Sequence, residues 1–328
     1  MKKVMLTATE VANLIKSGRF LALAADEETL KSLPRGNWIA GTIPYFVGET
    51  GGLQTRELIH VTDLAAADSG ARIVDYTLDT IPGIAADAPD NGYTVLILPA
   101  LSPIHTAYAK DARNYEGLFM KPIIGWISGV HLDDLGKITP KVFNGLTGTA
   151  ADSRAIAVHV PVGEHLLPVI RILNLFRQGE GDVLTFPEDG FSASSCRVNG
   201  QPANFAEYVS KNGLDLSRPL VADYEGAQIN TSFQGVDTEH GVVNFYAPVF
   251  AGIDYKQAAP VGDYVHEFET LTADVHVQSH FACNCILNYL YGKLEGRQTG
   301  ELTGPMTFGE IGYQLLNQTQ VYLELLEN

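Results

Sequence analysis

The run from Tyr93 to Ala100 constrains this chain more than any other stretch, because it is apolar nearly throughout and leads straight into a helix signal. A strand of alternating polarity can leave one face to water. A continuous apolar run predicts instead a strand buried on both faces, inside a layered fold. It passes through Ser102 and Pro103 into a helix expected to reach about Tyr115, with Ser102 as cap and proline in the first turn. At 328 residues the chain is long for one compact core, so two domains or one composite domain is expected.

Shorter signals surround that strand. Thr7 to Lys16 reads as a helix capped by Thr7 or Thr9, with Val11, Leu14 and Ile15 on one face and Gly18 at its end. Phe20 to Ala24 reads as a buried strand, and Asp26 to Lys31 as a helical turn stopped by Pro34. Gly36 to Phe46 reads as a strand broken by Gly41 and Pro44. Further strands are expected at 56–63, 71–78, 123–130 and 155–160, with strand and bend over Leu166 to Phe176. Gly179 to Asp182 is the clearest internal linker, dividing the chain into 1–180 and 181–328. Beyond it come a turn and helix over Asn199 to Val209, a hairpin across Asp237 to Gly241, and an apolar strand from His280 to Tyr291. Phe268 to Val277 fits a helix or a strand. The pattern gives an α/β (α+β) fold class: mixed β-sheets with flanking helices.

Charge narrows the function classes. A formal net charge of −16 argues against a nucleic-acid partner, since phosphate neutralisation needs a basic face. The N-terminal apolar stretch is too short for a signal-peptide core, and no apolar run approaches the length of a membrane span. Three cysteines do not make a disulfide framework. A cytoplasmic protein with no membrane partner is expected.

His276, His280, Cys283 and Cys285 invite a metal reading, but neither helical nor strand geometry gathers all four, so no metal and no cofactor are expected. Inert, buried cysteines are the plainer reading. Ser102 and His105 follow a buried strand at its C-terminal end, where α/β proteins place ligands, with Asp111 as a conceivable orienter. The chain lacks a G-x-S-x-G elbow, and helix capping accounts for Ser102 equally well. Trp38, Tyr45, Phe46, Tyr246 and Tyr255 suit either a pocket wall or a core.

The closing segment is the richest in hydrogen-bonding side chains. After the Gly304-Pro305 turn signal it carries Thr307, Glu310, Asn317 and Thr319, just before the apolar strand Val321 to Leu326. Glu310 lies between apolar residues and needs a partner if buried.

This segment, with Gly36 to Phe46, Arg197 to Tyr208, Val236 to Phe245 with Val249 to Tyr255, and Ser279 to Cys285, resembles the FIST domain, a sensory module of bacterial signalling proteins and some eukaryotic F-box proteins. Asn284, Cys285 and Ile286 stand where the family's cysteine strand runs on into an arginine, so the resemblance is to a divergent member. It implies two FIST-like halves with a pocket between them, binding a small polar or amino acid-like metabolite. The pocket is expected from Trp38, Thr42 and Tyr45, from Cys283, Cys285 and Asn288, and from Glu310, Asn317 and Thr319, with Glu310 holding a ligand cation. Without a kinase, cyclase or F-box segment, output would pass to a signalling partner. Two other classes stay open: an enzyme, hydrolytic through Ser102 and His105 or thiol-dependent through Cys283, and a protein–protein adaptor.

Overall fold

The computed structural model describes residues 4–273 and 280–327. It is mixed α/β, with 43% strand against 19% helix, so sheets rather than helices carry the cores. Four six-stranded sheets and one three-stranded sheet are present among the described residues.

The expected central strand is Gly92–Pro99, buried along its whole length. It pairs in parallel with Ile123–Ser128 and antiparallel with Ala155–Pro161. Its side chains divide between two cores by strand alternation. Val95 and Ile97 face a cluster shared with Ile39, Trp126, Phe281 and Val321. Leu96 and Leu98 face the helix Pro103–Asp111 through Ile104 and Tyr108. Each face thus buries apolar area worth roughly 2 kcal/mol per large side chain, which an alternating sequence could not supply.

Local signals set the smaller elements. Thr7 caps the helix Ala8–Lys16 in a capping box with Glu10, and Gly18 follows at φ +76°. Asp26 caps Glu27–Lys31. The break in the 36–46 strand falls at Ile43 and Pro44, not at Gly41. Gly41 stands inside Trp38–Thr42, where a Cβ would come within 2.7 Å of the Trp126 ring; glycine there admits tryptophan rather than ending the strand. After Pro44, Tyr45–Gly48 enters another sheet and pairs with Gly304–Thr307.

Residues 184–257 form a body with a core of its own, where Phe186, Phe205, Phe233 and Phe245 pack ring against ring. The Asp237–Gly241 region joins the hairpin Phe233–Asp237 and Val242–Val249, as expected. Pairing also runs across residue 180. Leu166–Asn174 pairs with Thr319–Glu327, and Ile123–Ser128 with Glu310–Gly312. The closing segment therefore completes sheets begun in the first half of the chain. The linker itself is tied down, since Gly179 N–H donates to the Gln257 carbonyl at 2.9 Å.

One apolar segment departs from its expected form. His280 to Tyr291 is a strand only over Phe281–Cys285 and then turns into the helix Ile286–Tyr291, so Asn288 stands on a helix. Tyr264–Thr272 is a helix. His276 lies outside the described residues.

Candidate functional site

The closing segment builds a buried polar floor. Glu310 pairs opposite Trp126 on one side and Leu316 on the other, which places its side chain in the interior with no solvent exposure. Its Oε2 accepts the Thr319 hydroxyl at 2.8 Å and the Thr319 backbone N–H at 3.2 Å. Cys285 and Thr307 also act on the carboxyl, while Oε1 lacks a hydrogen bond of ordinary geometry. Burial, the largest influence, pushes its pKa up to about 8 against the hydrogen bonds that favour the anion. At neutral pH the group is therefore mainly a neutral carboxylic acid.

Asn317 sits one bend earlier, next to Gln318 at φ +50°. Asn317 Oδ1 accepts the Ser232 backbone N–H at 3.3 Å, with the Ser232 hydroxyl 2.9 Å away. That backbone donor fixes which end of the amide is oxygen, so the other end is a true N–H donor. Asn317 Nδ2 has no hydrogen-bond partner although the residue is only 2% exposed. A buried unpaired donor costs roughly 1–3 kcal/mol unless something supplies an acceptor.

Next to this floor lies a cavity of about 450 Å³. Ala100, Leu101 and His105 enter it from the C-terminal end of the buried strand and the helix it feeds. Asn244 and Tyr246 come from the 184–257 body, and Cys285 and Leu290 from the strand–helix junction. Phe308 and Asn317 close it. Ligands gather at the carboxyl ends of parallel strands in α/β folds, and Gly92–Pro99 with Ile123–Ser128 is such a pair. Leu101 adopts φ +61°, a left-handed conformation rare for leucine, while 72% exposed. His105 is 7% exposed with Nε2 unpartnered, and burial lowers its pKa to about 4, so the ring is neutral at pH 7.

Two other depressions are better explained by packing. In one of about 500 Å³, Asn199 and Tyr208 donate to Asp182 at 2.7 and 2.9 Å, so these three satisfy one another. In another of about 300 Å³, Arg113 lies 3.7 Å over the Phe250 ring and pairs with Asp189 at 3.1 Å.

The expected site residues separate into three groups. Cys285 and Asn317 line the cavity. Glu310, Thr319, Asn288 and Cys283 lie in the interior away from its lining: Asn288 Nδ2 donates to Asn284 Oδ1 at 2.9 Å, and the Cys283 thiol donates to the Gly125 carbonyl at 3.2 Å. Glu310 accordingly presents no counter-charge to a ligand in the cavity. Trp38, Thr42 and Tyr45 are elsewhere. Trp38 Nε1 donates to the Pro34 carbonyl at 2.9 Å, the Thr42 hydroxyl accepts Lys141 N–H at 2.9 Å, and the Tyr45 hydroxyl accepts Leu132 N–H at 3.2 Å. Trp38 and Thr42 thus hold segments beside the Trp38–Thr42 strand, and Tyr45 holds the segment at Leu132 from the neighbouring sheet.

Neither nucleophile arrangement is assembled. The Ser102 hydroxyl donates to the Pro99 carbonyl at 2.6 Å and accepts His105 N–H at 3.2 Å, which is helix capping. Burial and the nearby Glu310 push the Cys283 thiol well above its ordinary range. Among the described residues no group of three or more His, Cys, Asp or Glu side chains could hold a metal ion.

A family of unknown function, DUF6976, matches residues 6–326. The chain belongs to that family. No curated protein matches it. In this DUF6976 chain the contributions of Phe191, Ser192, Gln234 and Asn244 were invisible to sequence reasoning, because nothing local marks a strand residue that meets a helix from the opposite half. The Ala100–His105 junction was marked, as the end of a buried strand. No helix among the described residues is long and apolar enough to cross a membrane.

Proposed function

We propose that the chain is a small-ligand-binding module of the sensory kind implied by the FIST resemblance, with its ligand held in the cavity between the 184–257 body and the strand–helix junctions at Ala100 and Cys285. One observation carries the proposal: an apolar cavity of about 450 Å³ has a buried, partnerless amide donor on Asn317 at its edge. Natural folds pair such donors, so an unpaired one beside a void is what a ligand acceptor would complete. A cytoplasmic setting and output through a signalling partner belong to the same proposal. The three cysteines are free and buried, which suits a reducing compartment.

A thermal-shift screen of uncharged and charged metabolites tests the proposal, run on wild type and on Leu290→Trp. Leu290 lines the cavity yet is 40% exposed, so tryptophan can fill the space without disrupting the core. At least one compound should raise the wild-type melting temperature and lose that effect in the variant. Compounds that stabilise both proteins equally, or none that stabilises wild type, would contradict the assignment.

A further inference from the structure

The cavity lining contains no Asp, Glu, Lys or Arg. The chain carries 38 acidic and 22 basic residues, so an uncharged concave surface of this size is a selective feature of the site. Its walls include the rings of Phe191, Phe245 and Phe308. Its polar lining is neutral and includes Ser192, Gln234, Asn244 and Tyr246 beside His105 and Asn317. Asn317 Nδ2 is a donor by the bonding of its own oxygen and has no partner, and His105 is an uncharged imidazole whose Nε2 also lacks one, whereas the Cys285 thiol is engaged with Glu310. Glu310, the nearest buried carboxyl in the network, is engaged with Thr319 behind this surface.

We infer that the cavity selects an uncharged ligand with a ring-sized apolar body and a carbonyl oxygen, the body lying against the phenylalanine wall and the carbonyl accepting the free N–H of Asn317. The inference rests on the cavity being the binding site. The physical reason is desolvation. A ligand carboxylate or ammonium entering here would give up water and meet no opposite charge. A neutral amide gives up less and gains a partner for a donor that is otherwise unpaired. His105 can serve the same head group as donor or acceptor, because a neutral imidazole can present either at Nε2.

Three compounds sharing one ring test the class: indole-3-acetamide, indole-3-acetate and tryptamine, titrated calorimetrically into wild type and Leu290→Trp at neutral pH. The amide should bind saturably, roughly tenfold or more tighter than either charged analogue, and Leu290→Trp should abolish its binding. Equal or tighter binding of the anion or the cation, still abolished by Leu290→Trp, overturns the ligand class and leaves the cavity assignment standing. Absence of saturable amide binding also overturns the class. Amide binding that Leu290→Trp leaves unchanged overturns the cavity assignment itself.

Discussion

Glu310 titrates in the opposite sense from most carboxylates that stabilise proteins. Its pKa rises from 4.5 to about 8 on folding, chiefly through burial. Below pH 4.5 both states hold the proton and the shift costs nothing. As pH rises from 4.5 to 8 the unfolded chain releases the proton while the folded chain keeps it. Stability from this group therefore falls across that window, by roughly 1.4 kcal/mol per pH unit at most. Glu310→Gln preserves the acceptor for Thr319 and cannot ionise. Urea unfolding should find the variant close to wild type at pH 5 and more stable at pH 8.5; an unchanged pH slope would show that Glu310 does not carry the linkage. The thiols lead to a second residue-scale expectation. Burial raises the thiol pKa of Cys196 to about 11 and pushes those of Cys283 and Cys285 well above the ordinary thiol range. Iodoacetamide at pH 7.5 should leave all three unmodified in the native protein and alkylate them in urea; native labelling at Cys283 would revive the thiol-enzyme reading.

Two elements decide how the sheets and the 184–257 body are joined. Asn174 and Asn230 exchange side-chain amide hydrogen bonds at 3.0 Å in both directions. Asn230 Nδ2 also reaches the Asn317 carbonyl at 3.1 Å, so one amide ties the body to both the edge strand and the closing bend. Asn230→Ala strands several buried partners and should cost about 2–3 kcal/mol in urea unfolding, against under 1 kcal/mol for an exposed asparagine. At Gly41 the constraint is steric. A Cβ would lie 2.7 Å from Trp126 and 2.8 Å from Ile97, so Gly41→Val should destabilise by about 1–3 kcal/mol through overpacking. A neutral effect would mean that the Trp126 contact is loose. These elements also show where sequence stops being informative. The cap of the first helix is a local signal and was readable as Thr7 or Thr9; Thr7 fills it. The apolar stretch from His280 to Tyr291 was not, because a buried strand and a buried helix share its composition and Cys285 caps the helix without a side-chain hydrogen bond.

For the molecule as a whole, layering follows from one strand needing cover on both faces, and that much was legible in the 93–100 run. The candidate site was legible in some of its polar residues and, among the aromatic candidates for a wall, in Tyr246. Asn317 and Cys285 drew notice as polar or sulfur-bearing residues beside apolar strands, whereas Trp38, Thr42 and Tyr45, singled out by the resemblance, face structural partners. The apolar wall comes from segments as distant as Leu101, Phe245 and Leu290, which only the tertiary fold brings together. Its separation from the charged surface also matters at this scale. A net charge of −16 slows anionic encounters, and an uncharged cavity removes the compensation that an anion would need.

The most direct test observes the Asn317 side-chain amide itself. Its ¹⁵N–¹H₂ resonances can be assigned through their loss in Asn317→Asp and followed in wild type as a stabilising compound is added. They should move in proportion to occupancy, as the free N–H gains an acceptor. Resonances that stay fixed while a stabilising compound saturates the protein would place the ligand elsewhere and leave the Asn317 donor a structural oddity of the fold.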